Sequence, residues 1–369
     1  MKQGRFILPP ISPLLGRRLL TALPTLFVIV TLTFILTRVA PGGPFRDEQA
    51  VPDAVRTNIE ARYGLDRPVT TQYLRFWGNL LTGSLGPSFQ QPERQALGVL
   101  MEGFGPSIIL GLSALFIALL FGLGGGTLAT VDPRTGPTIS VFSLLALAIP
   151  VFVLGPLLIR FLAIDLRLFP AALWGSPSHL ILPALTLGIP VGGSLARFWR
   201  TVLTENLDRP ECLSARARGL SEWQVVRSHA GPRGLPLLFN YVGPMLAGLV
   251  TGSVVVEKIF GIPGMGRYFV DGALARDYPI VIGATLIYAI ILLLVHTLAD
   301  LSHLRLDPRL RKEHGEWTRE EHARRRRAKE AAEEARAAAE AEKSLAEQAL
   351  QEAPGDDPSL ASKDKGGEA

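Results

Sequence analysis

The 369-residue chain has one cysteine, Cys212, and six scattered histidines. A single thiol cannot close a disulfide within the chain and cannot build a zinc site. No histidine stands in a His-x-x-x-His or Glu-x-x-His spacing, so metal chemistry has no support and no cofactor is expected. There is no Gly-x-x-x-x-Gly-Lys-[Ser/Thr] loop to cradle a nucleotide. No Ser–His–Asp pattern, intramembrane His-Glu-x-x-His or paired Asp is present either, so catalytic residues are expected to be absent. The formal net charge is +5, but no basic patch is interleaved with aromatics, and nucleic acid is not an expected partner. No internal repeat stands out.

The more informative shortage is of charge in long stretches. A hydrocarbon core of about 30 Å takes roughly 20 helical residues, and six windows of that order contain no Asp, Glu, Lys or Arg. They are Leu19–Thr37, Gly103–Val131, Thr135–Ile159, Leu180–Ala196, Gly234–Val256 and Tyr278–Ala299. The expectation is an all-α polytopic membrane protein with six transmembrane helices. The fourth window is short and holds Pro183, Gly188 and Pro190, for which a re-entrant segment is the alternative to a full span. The first window does not read as a cleaved leader, because Arg38 stands where a small residue is wanted and Pro41 follows. The windows hold one titratable side chain besides tyrosine, His296, better read as a helix-end histidine than as a proton relay.

Lys2, Arg5, Arg17 and Arg18 precede the first window, and Arg305, Arg309, Arg311 and Lys312 follow the last. Seven Arg lie between Arg197 and Arg233, against Glu205, Asp208, Glu211 and Glu222. Both termini and this fourth loop are therefore expected on the cytoplasmic side. The organisation expected is a cytoplasmic N-terminus (1–16), a six-span domain (17–311) and a charged tail (312–369). Within the six-span domain lie an external loop, 41–101, and a cytoplasmic loop, 197–233. The spacing predicts a helix over Val69–Leu81 in the external loop, which is either a connector covering helix ends or an entry surface for cargo. The tail holds the run Arg324–Arg327 and an Ala/Glu/Arg-rich stretch. Without a wide apolar stripe it reads as a solvated helix or a disordered extension, with anionic lipid as the sharper alternative for the Arg run.

The fourth loop carries the one cluster that points to a partner. Ser214, Ala215, Arg216, Ala217 and Arg218 predict a short helix stopped by Gly219, with Leu220 and Ser221 leading into the next. Small residues permit close approach by another surface, and arginines steer docking onto an acidic groove. A basic interfacial helix would look similar.

Ala215-Arg216-Ala217-Arg218-Gly219-Leu220-Ser221 resembles the coupling motif of ABC-importer permeases of the dipeptide/oligopeptide branch. Other stretches match in order: Arg17–Leu20 with Pro24-Thr25 and Arg38–Gly42, Tyr63–Pro68, Gly83–Gly86, and Leu182–Leu187. The most specific are Val255–Phe260, Pro263–Gly266, Ala273–Pro279 and Leu306–Arg309. Together they span about residues 14 to 311. Two departures are visible. Pro210-Glu211-Cys212-Leu213-Ser214 replaces the family's Asp/Glu-Tyr-Val-Arg-Thr lead, and Gly231-Pro232-Arg233-Gly234 sets two helix breakers between the coupling loop and the fifth span.

The resemblance implies a type I ABC-importer permease-like bundle in the bacterial inner membrane, itself no enzyme. Its implied partners are a second permease subunit, two cytoplasmic ATPases, and an extracytoplasmic solute-binding protein. ATPase coupling is expected through residues 210–227, with Ser214 to Ser221 at the contact. Di- and oligopeptides are the implied cargo, with nickel chelates and glutathione as the alternatives carried by close relatives. A different class of reading is a non-transporting membrane scaffold acting through its tail, and a third is a secondary transporter driven by an ion gradient.

Overall fold

The computed structural model describes residues 11–40, 63–306 and scattered positions between 327 and 341. The chain divides into a unit of residues 1–307 and a second of 308–369. In the first, helices α1 (Ile11–Val39), α2 (Val69–Leu81), α3 (Ala96–Val131) and α4 (Gly136–Ala148) come first. Next are α5 (Val151–Leu158, prolonged by a π-helical stretch Ile159–Asp165), α6 (Ile181–Leu207), α7 (Pro210–Ala217) and α8 (Glu222–Val225). A π-helical turn, Val226–Ala230, leads into α9 (Gly231–Thr251), and α10 (Val254–Phe260), α11 (Met265–Leu274) and α12 (Tyr278–Leu306) complete the unit. Described tail positions such as Arg327, Glu330 and Glu334 are helical and exposed. The Arg324–Arg326 part of the arginine run and residues 41–62 of the loop expected outside lie outside the described residues.

Helix is the expected form for such windows, because a bilayer offers no partners for backbone groups and a helix satisfies its own. Five segments are long and apolar enough to cross a membrane: Leu20–Val39, Ala96–Val131, Pro177–Leu207, Glu222–Thr251 and Tyr278–Ala299. The pair α4 and α5 passes the same test only when taken together, and it bends by 105° at the break, the geometry of a broken span or of a re-entrant loop. The bend has a local cause. Pro150 removes an amide donor and pushes the residue before it out of the helical region, and Ile149 is extended (φ −81°, ψ 117°). The third charge-free window is thus a broken element. Phe116, Leu120, Phe142 and Leu145 stand exposed on the bundle, as side chains meant for lipid do.

The bundle is centred on α3 and α6, its most extensively packed pair. Their backbones come close because glycines face each other's helix. A Cβ on Gly122 would lie 2.6 Å from the Leu195 side chain, and one on Gly188 would lie 2.8 Å from the Ala114 carbonyl. Leu110, Ala114, Leu182, Leu187, Leu249 and Phe260 form the central core. Helix α12 packs on α9, α1 and α11.

The segment between α1 and α3 is tied to the bundle by polar contacts at both of its ends. Arg38, at the end of α1, stacks over the Phe34 ring and donates to Gln72 Oε1 on α2 (3.1 Å). Asp277 is buried just ahead of α12 and accepts from the Ser88 hydroxyl, from the Gln90 amide (3.2 Å) and from the Ile280 amide of the first turn (3.4 Å). One carboxylate therefore both caps the last span and anchors residues 88–90.

Candidate functional site

Helix α6 does not stop at Ala196, where the apolar window closes, but runs on to Leu207. Its extension carries Trp199, Val202, Leu203 and Leu207 as a platform, and the short helix α7 folds back onto it. Cys212 and Ala215, three residues apart, are the buried face of α7. They meet Val225, Val226 and Ala230 across the platform. Ala215 has no accessible surface, so nothing larger fits there without lifting the helix.

The turn after α7 is fixed by backbone chemistry. Gly219 adopts φ +84°, a region that costs other residues about 1–2 kcal/mol, and its amide donates to the Arg216 carbonyl (2.8 Å). Ser221 then opens α8 with a reciprocal cap: its hydroxyl accepts from the Gln224 amide, and the Gln224 side chain accepts from the Ser221 amide. Such a cap is worth roughly 1 kcal/mol.

Three polar links tie this corner to its neighbours. Arg216 grips Glu222 with two N–H groups (2.7 and 2.9 Å) and donates to the Leu207 carbonyl (3.4 Å). The Glu222 hydrogen bond holds the Arg216 guanidinium more firmly charged than usual. Arg233 donates to Glu211 (2.8 Å), joining α7 to α9. The Glu211 carboxyl is held below the ordinary range, first by its own backbone amide and then by Arg233 and Arg209. Asn206, buried on α6, donates to the Ala230 carbonyl (3.3 Å).

The residues named from the sequence therefore divide by face. Ser214, Ala217, Arg218, Gly219 and Ser221 are exposed, with Leu213 and Trp223 beside them, while Arg216 and Leu220 are half-buried and Ala215 faces inward. The helix breakers noted at Gly231-Pro232 do not interrupt the helix. The Gly231 amide donates to Val226 O, closing a π turn, and Pro232 falls in the first turn of α9, where a missing amide is tolerated. The chain from Glu222 to Thr251 stays helical throughout.

A second polar cluster lies deep in the bundle. Glu257, on α10, is completely buried. Its Oε1 accepts from the hydroxyls of Ser107 on α3 (2.7 Å) and Ser253 (2.5 Å), and its Oε2 accepts from the Arg267 amide on α11 (3.0 Å). Ser107 in turn accepts from the Met265 amide (2.9 Å). The glycines of the Pro263-Gly264-Met265-Gly266 turn make room: a Cβ on Gly264 would overlap the Glu257 carboxyl, and one on Gly266 would lie 2.9 Å from Oε2. Sequence reasoning used Glu257 as the charged residue that closes the fifth window. The serines at 107 and 253, and the glycine turn that follows, are the signals that mark it as an interior group. Among the described residues, no group of three or more His, Cys, Asp or Glu side chains is arranged to hold a metal.

Two family models match the chain in succession. Residues 12–102 match the N-terminal part of the membrane component of binding-protein-dependent transport systems. Residues 122–312 match the binding-protein-dependent transport system inner membrane component. The chain belongs to this family. It is thus a multi-pass inner-membrane transport component, and the α7–α8 corner and Glu257 both fall in the longer match, while Ser107 lies between the two matches. Among relatives, the dipeptide transport system permease protein DppB of Bacillus subtilis is 39% identical over 78% of this chain and 94% of its own length. The oligopeptide transport system permease protein OppB of Haemophilus influenzae is 38% identical over 80% and 98%. Among solved structures, an inward-facing conformation of the MetNI methionine ABC transporter matches with a TM-score of 0.48 and 19% identity, over 57% of this chain and 96% of that one.

Proposed function

We propose that this chain is the permease subunit of an ATP-driven, binding-protein-dependent importer of di- and oligopeptides. The names of its relatives support the cargo. The reading of the site rests on one observation: the α7–α8 corner is sealed on its back and open on its front. Cys212 and Ala215 bury the back, while Leu213, Ser214, Ala217, Arg218 and Trp223 present a mixed apolar and cationic front with no partner within the described chain large enough to cover it. Such a face fits the groove of a cytoplasmic ATPase, with Arg218 steering the encounter. Both termini and this loop then lie on the cytoplasmic side. A second permease subunit, a second ATPase and an external solute-binding protein complete the assembly.

In this reading ATP binding moves the corner as a lever. Arg216–Glu222 keeps α7 and α8 together, Asn206 passes the displacement to α6, and Arg233–Glu211 passes it to α9. The test is Gly219→Pro in the complete transporter, reconstituted in vesicles. Proline cannot adopt φ +84° and loses the amide bond to Arg216. The expected result is ATP hydrolysis without uptake. Unchanged peptide uptake would count heavily against the assignment. Deleting residues 313–369 is expected to leave uptake in place, whereas a scaffold acting through the tail would lose its function. Loading the same vesicles against peptide, nickel chelate and glutathione separates the cargoes, and uptake that follows an ion gradient without ATP points to a secondary transporter.

A further inference from the structure

Beside the coupling corner lies an apolar groove of about 310 Å³, walled by Thr127 of α3, Trp199 of α6, Trp223 of α8, Arg227 of the π turn, and Pro232 and Leu235 of α9. Its floor offers no free donor, since Trp199 Nε1 already donates to Thr127 Oγ1 (3.0 Å). Its rim carries one charge, Arg227. The neighbouring arginines 216, 218 and 233 each hold a side-chain partner. Arg227 is exposed, and among the described residues it has none. Trp223 stands one helical turn before it and is half exposed.

The place of the groove is as telling as its lining. Thr127 is four residues from the end of its span, Trp199 lies just beyond the charge-free window Leu180–Ala196, and Leu235 is near the start of the charge-free window Gly234–Val256. All three mark the level where hydrocarbon gives way to headgroups, the zone in which tryptophan and arginine are favoured. An apolar trough at that depth with a single free guanidinium on its rim matches one class of molecule. We propose that the groove is a binding site for an anionic phospholipid, whose acyl chain lies along Trp199 and Leu235 and whose phosphate meets Arg227. Because the groove abuts the π turn, an occupant braces the segment that joins α8 to α9. The site depends on neither the cargo nor the identity of the ATPase.

The full-length chain, purified in mild detergent and stripped of lipid, is titrated with phosphatidylglycerol or phosphatidylcholine, and bound lipid is counted by native mass spectrometry. Phosphatidylglycerol is expected to bind roughly tenfold more tightly, the scale of one charge-assisted contact. Arg227→Gln should remove that preference and Arg227→Lys should keep it. Leu235→Trp, which fills the groove but spares Arg227, should weaken both lipids. Equal affinity for the two lipids, or variants that bind as the wild type does, overturns the proposal. So does competition by inorganic phosphate alone, which would reduce the site to a headgroup contact. Exclusion of phosphatidylglycerol in the complex with ATPase overturns it as well, and assigns the groove to the protein interface.

Discussion

The α7–α8 corner and the α10–α11 corner solve the same problem with opposite chemistry. Each turns the chain sharply beside the central helix pair. The first is held by ion pairs that remain open to water, Arg216–Glu222 and Arg233–Glu211, over a small buried patch around Ala215. The second is held by a carboxylate with no exposure, three donors on its two oxygens and glycines pressed against it. An exposed pair is worth about 0–1 kcal/mol, so the first corner is held in shape at little cost and keeps its front free. An unmade hydrogen bond in the second costs about 1–3 kcal/mol, so that corner cannot be altered without harming the fold. Stability is concentrated at Glu257, and availability at Gly219.

The largest expected effect follows from removing the buried carboxylate. Glu257→Ala strands two hydroxyls and an amide, and should destabilise the purified chain by on the order of 3 kcal/mol, read as a lower melting temperature in detergent. Glu257→Gln should be milder, since its oxygen still accepts both serines while its NH2 confronts the Arg267 amide. A Glu257→Ala protein that melts like the wild type would erase the distinction between the corners. Gly264→Ala comes next, at about 1–3 kcal/mol of overpacking against the carboxyl group, measured the same way. A smaller change is expected at the open corner: Arg216→Gln should cost about 0.5–1 kcal/mol, yet should reduce coupled uptake far more than it lowers the melting temperature. The smallest effect is one of pH. Because the Glu211 carboxyl is held below its ordinary range, the tether to Arg233 is intact above that range and is lost as pH falls through the lowered value. Hydrogen exchange in α7 should therefore quicken on acidification in the wild type and be insensitive to it in Glu211→Gln.

Five of the spans were legible because charge-free length is what a bilayer demands, and Val69–Leu81 was legible from its periodicity. The direction of the chain was harder to read. Thr135–Ile159 contains no charge, yet Pro150 turns it by 105°; a window defined by composition records residence in lipid and says nothing of a bend within it. Gly234–Val256 likewise runs across the end of α9 and into α10. Its boundary residue, Glu257, illustrates the sharper limit. A charge ends an apolar window by definition, but whether it meets water or three donors depends on Ser107, 150 positions away. At the α7–α8 corner the sequence foretold a short helix stopped by Gly219 and a second helix after Ser221. The inward face of Ala215 became visible once the platform of α6 beyond Ala196 was in place.

The glycine contacts between α3 and α6 bear on how such a bundle can change shape. Side chains that interdigitate at a distance can slip past one another by changing rotamer, but backbones in near contact at Gly126 and Gly188 have no such slack. The two helices must travel as a single stiff plate. Compliance is left to places where the regular ladder is already interrupted, among them the kink at Pro150 and the π turn at Val226–Ala230.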